Sequence, residues 1–114
     1  MITDDYQIKL DKETSTAVLE GALRLQSPNA YDIPFSEITN FISQLPKQTR
    51  FILNIKNLEF LNSSGVTSLA KLVLLCRSND IDLHIECNED IPWQEKTIAS
   101  FNKLYERVSL TFSQ

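Results

Sequence analysis

Two periodicities alternate along this chain. Residues 6–10, Tyr6-Gln7-Ile8-Lys9-Leu10, alternate apolar and polar positions, the sign of a strand with one buried face. Asp11-Lys12-Glu13-Thr14 is a polar turn, and residues 17–25 alternate again, so the first two segments predict a β-hairpin. Gly21 interrupts the second strand and predicts a bulge or a close backbone approach. Ser27-Pro28-Asn29 breaks that strand. Ile33, Phe35, Ile38, Phe41, Ile42 and Leu45 then approximate a helical stripe, giving a helix over about 35–45 that stops before Pro46.

Residues 50–56 begin with the continuous apolar run Phe51-Ile52-Leu53, as strands buried on both faces of a parallel sheet do. Asn57 starts a loop. From Ser64 the spacing turns helical: Val66, Leu69, Ala70, Val73 and Leu74 form one apolar stripe, with Ser68, Lys71 and Ser78 off it. Ser78-Asn79-Asp80 ends this helix, with Asn79 expected at the left-handed position. Residues 81–87 alternate as a strand, with His84 and Glu86 expected to face solvent. Pro92 opens a last helix over roughly 92–106, whose apolar face is Ile98, Phe101, Leu104 and Tyr105, and residues 108–112 close the chain as a strand. The order β-β-α-β-α-β-α-β, with no repeat or linker, predicts one α/β domain over residues 1–114. Its sheet is mixed and mostly parallel, of about five strands, with helices packed on it.

Composition narrows the function. The 114 residues carry a formal net charge of −4, which disfavours nucleic acid and anionic membrane surfaces as partners and fits a protein that meets other proteins. No apolar run approaches the length of a membrane span. The acidic start Met1-Ile2-Thr3-Asp4-Asp5 lacks the features of a signal peptide, so a cytoplasmic location is expected. Cys76 and Cys87 have no metal-ligand spacing and are expected as buried thiols, while a lone His84 cannot assemble a metal site. Neither a catalytic residue nor a metal nor a cofactor is expected. With only Gly21 and Gly65, the chain has no glycine-rich phosphate loop, and Ser63 and Ser64 sit in no Gly-x-Ser-x-Gly elbow.

The polar turn Asn62-Ser63-Ser64-Gly65 stands out, between the apolar strand and the amphipathic helix. Asn and Ser there are preferred helix caps, and capping alone is the plain reading. Gly65 reads as room for a close approach. Trp93, at the start of the last helix, either covers one end of the core or anchors a partner.

Leu61-Asn62-Ser63-Ser64-Gly65 between a central strand and a helix resembles the STAS domain, the family of anti-sigma-factor antagonists and of sulfate-transporter cytoplasmic domains. Its hallmark there is an apolar residue followed by Asp-Ser-Ser/Thr-Gly. The order of elements matches over nearly the whole chain, and Leu19-Glu20-Gly21-Ala22-Leu23 matches the family's Leu-x-Gly-x-Leu second strand. Ile91-Pro92-Trp93-Gln94 and the Asn-Ser-Ser-Gly variant are similar to a bacterial branch of small stand-alone STAS-like regulators, well represented in cyanobacteria. Three departures stand against the antagonist pattern: Asn62 for the usual Asp, Arg24 where an acid is common, and Ser78-Asn79-Asp80 for a Gly-Gly turn.

The resemblance implies a non-enzymatic switch. Ser63, or secondarily Ser64, would be phosphorylated by a serine kinase of anti-sigma type and reset by a phosphatase. Asn62, Ser63, Ser64, Gly65, Thr67 and Ser68 would form the partner-binding surface of a monomer or weak dimer. The alternative is a constitutive docking module in a bacterial signalling complex, with the serines as caps only.

Overall fold

The computed structural model describes residues 5–114. Five strands, β1 (Tyr6–Asp11), β2 (Thr16–Leu23), β3 (Arg50–Leu61), β4 (Asp82–Asn88) and β5 (Val108–Ser113), form one sheet in the order β1-β2-β3-β4-β5. β1 and β2 pair antiparallel, and the other three pairings are parallel. The crossovers carry α1 (Ser36–Gln44), α2 (Ser63–Ser78) and α3 (Pro92–Ile98). Every crossover steps to the next strand in the same direction. Connections of one hand therefore place all three helices on one face of the sheet.

The register shows how the strands divide their side chains. Phe51, Leu83 and Val108 are paired neighbours and buried toward the helices, as are Ala17, Leu53 and Ile85. The opposite face carries two rows across all five strands, Asp11-Thr16-Ile52-His84-Ser109 and Lys9-Val18-Asn54-Glu86-Thr111. α1 supplies Ile38 and Ile42 to the core, and α2 supplies Leu69, Leu72, Val73 and Cys76. None of the described helices is long and apolar enough to cross a membrane. The two cysteines are free and buried, and burial pushes both thiols up to about 12.

Most element positions follow the sequence pattern; four details depart from it. The segment after Lys56 is strand, not loop: β3 continues to Leu61 because β2 pairs along it as far as Leu23↔Leu61. β3 fits two extra residues opposite β2 through register shifts after Val18 and Gly21. Gly21 has φ 90, and a Cβ there would lie 2.3 Å from the Asp5 carbonyl oxygen, so both the bulge and the close approach are present. The left-handed residue after α2 is Asp80 (φ 58), not Asn79. Ile81 N–H reaches Cys76 C=O and Asp80 N–H reaches Arg77 C=O, the two bonds of a Schellman ending. Arg107 pairs with both Asp80 and Asp82 and so ties this turn to the start of β5.

His84 is not solvated. It lies on the face away from the helices but is only 9% exposed, because Ser109 and Thr111 of β5 bracket its ring at 2.6 and 3.1 Å. Burial first, and then the charge of Arg50, holds its imidazole below the usual range, with Glu86 opposing. The last helix is shorter than its apolar pattern suggests. It tightens to a 3-10 turn over Ala99–Lys103, where the Ser100 hydroxyl donates to Thr97 C=O at 2.7 Å and competes with the regular ladder.

Candidate functional site

β3, the central strand, delivers the chain to the C-terminal end of the parallel strands at Leu61, and α2 starts at Ser63. Asn62 between them is the cap, with φ −82 and ψ 175. Its Oδ1 accepts from Gly65 N–H at 2.9 Å and from the Tyr31 hydroxyl at 2.7 Å. Its Nδ2 donates to Leu25 C=O at 2.8 Å. Leu25 N–H in turn donates to the Tyr31 hydroxyl at 3.3 Å, which closes a ring of hydrogen bonds. An aspartate at position 62 would face the Leu25 carbonyl with an acceptor instead of a donor, so the amide matches the backbone it meets.

Tyr31 sits at the end of a 3-10 turn, Pro28–Tyr31, capped by the Ser27 hydroxyl. Its ring is buried and packs edge-on against Phe35 at 5.4 Å. Burial raises its hydroxyl's pKa, with the Leu25 N–H opposing, so the phenol stays protonated and donates to Asn62. Tyr31→Phe is expected to cost about 1–2 kcal/mol, because Asn62 loses a donor and Leu25 N–H an acceptor. Urea unfolding at neutral pH measures this.

The expected site residues divide sharply by exposure. Ser63 and Thr67 are exposed, Asn62 and Ser64 are half-buried, and Gly65 and Ser68 are buried. Thr67 and Ser68 turn their hydroxyls back onto Ser63 C=O and Ser64 C=O, each at 3.1 Å. Among the described residues the Ser63 and Ser64 hydroxyls make no hydrogen bond. Capping is therefore the work of Asn62 alone, and Ser63 presents a free hydroxyl to solvent. The first turn of α2 holds no acidic residue. Next to it, just beyond the end of β2, the Arg24 guanidinium lies 4.8 Å from the centre of the Phe60 ring, and Phe60 is 42% exposed. Such a contact at an exposed position contributes about 0.5–1 kcal/mol.

A second layer fixes the end of β3. Pairing with β4 stops at Asn54↔Glu86, which leaves the Ile55 and Leu58 carbonyls without a strand partner. Gln94 of α3, fully buried, donates to both at 2.7 and 3.0 Å and accepts from Asn88 N–H at 2.8 Å. Asn88 Nδ2 donates to Lys56 C=O at 3.0 Å, and Trp93 Nε1 donates to Glu59 C=O at 2.9 Å. Trp93 is thus half-buried, packed on the core and fixed by its indole N–H.

On the other flank of α2 a groove of about 350 Å³ runs between α1 and α2, floored by Phe35, Leu72 and Leu75 and ending at Tyr31 and Ser68. Ser63 and His84 are not brought together: the imidazole is engaged by Ser109 and Thr111 on the far face of the sheet. Among the described residues no group of His, Cys, Asp and Glu is placed to hold a metal ion. Comparison with family models, with curated proteins and with solved structures finds no match.

Asn62, Ser63 and Gly65 are legible in the sequence through their position between a strand and a helix. Tyr31 is not, because its role depends on a contact between residues 31 and 62. Gln94 stands in the Ile-Pro-Trp-Gln motif, but its role depends on where β3 and β4 stop pairing. A fully polar side chain on the inner side of a short helix is the signal that points to it.

Proposed function

We propose that this chain is a STAS-like regulatory domain, a non-enzymatic protein-binding switch worked by phosphorylation of Ser63. The observation that carries the reading is the free, exposed hydroxyl of Ser63 one residue beyond a cap that is already fully engaged. Neither serine is needed to hold α2 in place, which weighs against the caps-only reading. Ser64 is half-buried and remains the secondary acceptor.

The physical effect of the modification is one-sided. A phosphate adds about −1.5 to −2 charge at neutral pH. Within the domain it meets the unpaired N–H groups of the first turn of α2 and no fixed acid, so it is tolerated. Across an interface the same charge must lose its water, which disfavours a partner docked flat on Ser63 and Thr67. The partners that fit are a serine kinase of anti-sigma type, which binds the unmodified form, and a phosphatase that restores it. The cytoplasm is the compartment proposed for this circuit.

Intact mass of protein taken from its native cell is expected to show a phosphorylated fraction that Ser63→Ala abolishes. Ser63→Asp is expected to lower affinity for the kinase-type partner at least tenfold, equivalent to about 1.4 kcal/mol, with the thermal transition unchanged. Equal binding by the wild type, Ser63→Ala and Ser63→Asp would instead establish the constitutive docking module.

A further inference from the structure

We infer that Arg24 is the internal receptor for a phosphate on Ser63, and that it leaves the Phe60 ring to take that role. The inference rests on the phosphorylation reading above.

Position comes first. Leu23 pairs with Leu61, and the backbone on either side of Arg24 is clasped to Asn62. Asn62 N–H donates to Leu23 C=O at 3.2 Å, and Asn62 Nδ2 donates to Leu25 C=O at 2.8 Å. Arg24 lies between these two bonds, about one strand spacing from Asn62, whose next residue is Ser63. Its side chain is exposed and, among the described residues, forms no ion pair. Its observed contact is the Phe60 ring, 4.8 Å away.

Three other cations, Lys71, Lys9 and Arg107, are worse placed. Lys71 is eight residues along α2, about 12 Å up the helix axis. Lys9 is paired with Glu20, and Arg107 is held by Asp80 and Asp82 at the opposite edge of the sheet.

Chemistry then decides the direction of the exchange. A guanidinium resting on an exposed ring is weakly held. Its planar fork matches phosphate oxygens in a bidentate, charge-assisted pair, which is stronger. Asn62 is neutral, so no fixed carboxylate in the turn competes for Arg24 or repels the phosphate. The departures at positions 24 and 62 therefore belong together: a base is gained and an acid is missing around the same serine. The exchange also changes a second surface element, because Phe60 loses its cover when Arg24 leaves. The modified state displays a new charge at residue 63 and a barer aromatic at residue 60.

The test uses the full chain with phosphoserine installed at position 63 during translation. The second ionisation of that phosphate, ordinarily near 6, is followed by phosphorus NMR. In the wild-type background it is expected about half a unit or more below its value in Arg24→Gln. The ring-current shift that Phe60 imposes on the Arg24 methylenes is expected to vanish on phosphorylation. Identical titrations in the two backgrounds overturn the inference, and so does an Arg24 side chain still held over Phe60 in the phosphorylated protein. Because the phosphate is built in, these outcomes stand apart from whether cells modify Ser63, which the mass measurement decides.

Discussion

Replacing Gln94 with leucine is expected to remove about 4 kcal/mol of stability, even though the substitution is apolar, similar in size and placed in a fully buried position. The side chain serves as a missing strand for the end of β3. Its loss leaves the Ile55 and Leu58 carbonyls and Asn88 N–H without partners. A buried polar group left unpaired costs about 1–3 kcal/mol, with the half-buried Asn88 at the low end. Against a typical total of about 5–15 kcal/mol this is a large share. A fall in melting temperature of roughly 15 °C should accompany it. Calorimetry on Gln94→Leu checks the magnitude. A loss below 1 kcal/mol would show that water replaces the amide and that β3 ends independently of α3.

Gly65→Ala is the second large effect, and its sign is opposite to helix propensity. In a solvent-exposed helix interior alanine is favoured over glycine by about 1 kcal/mol. Here the added Cβ would lie 2.2 Å from Leu61 Cδ1 and 2.8 Å from the Tyr31 hydroxyl. Both neighbours are buried, and Tyr31 cannot withdraw without releasing Asn62 and Leu25. Overpacking of this kind costs about 1–3 kcal/mol, and loosening the hydrogen-bond ring adds to it, so a net loss of about 2–3 kcal/mol is expected. A double-mutant cycle with Leu61→Ala gives the cause. The pair should be less destabilised than the sum of the single variants by at least about 1 kcal/mol, since the closest contact is then gone. Additive losses would place the cost in the backbone instead.

What could be read from the chain divides along the range of the interactions involved. Period-2 and period-3.6 patterns are local, and they locate all five strands and three helices, along with the antiparallel pair at Tyr6–Asp11 and Thr16–Leu23. The end of β3 is not legible in the sequence because Leu58-Glu59-Phe60-Leu61 has no clean alternation. Two bulges scramble its facing, and only the partner strand β2 reveals it as strand. The burial of His84 is not legible either, because alternation gives a direction, not an environment, and its cover comes from hydroxyls about 25 residues later in β5. Asn79 and Asp80 are not told apart by the sequence because both residue types tolerate the left-handed region, and the charge that holds Asp80 comes from Arg107, in the turn before β5. At the candidate site, Ser63 and its turn were legible, while the residues that orient the turn were not.

The ring of hydrogen bonds around Asn62 bears on the use of peptides as stand-ins for this protein. A synthetic segment of residues 50–78 contains β3, the serines and α2, and it keeps the local bond from Gly65 N–H to Asn62. It loses the Tyr31 hydroxyl, the Leu25 carbonyl and the Leu23 carbonyl, all supplied by chain more than 30 residues upstream. It also lacks Arg24. A partner that recognises the folded turn therefore meets a different shape in the peptide, and under the proposed phosphorylation of Ser63 a peptide-array screen would rank candidate kinases by their tolerance of disorder rather than by their fit to the domain.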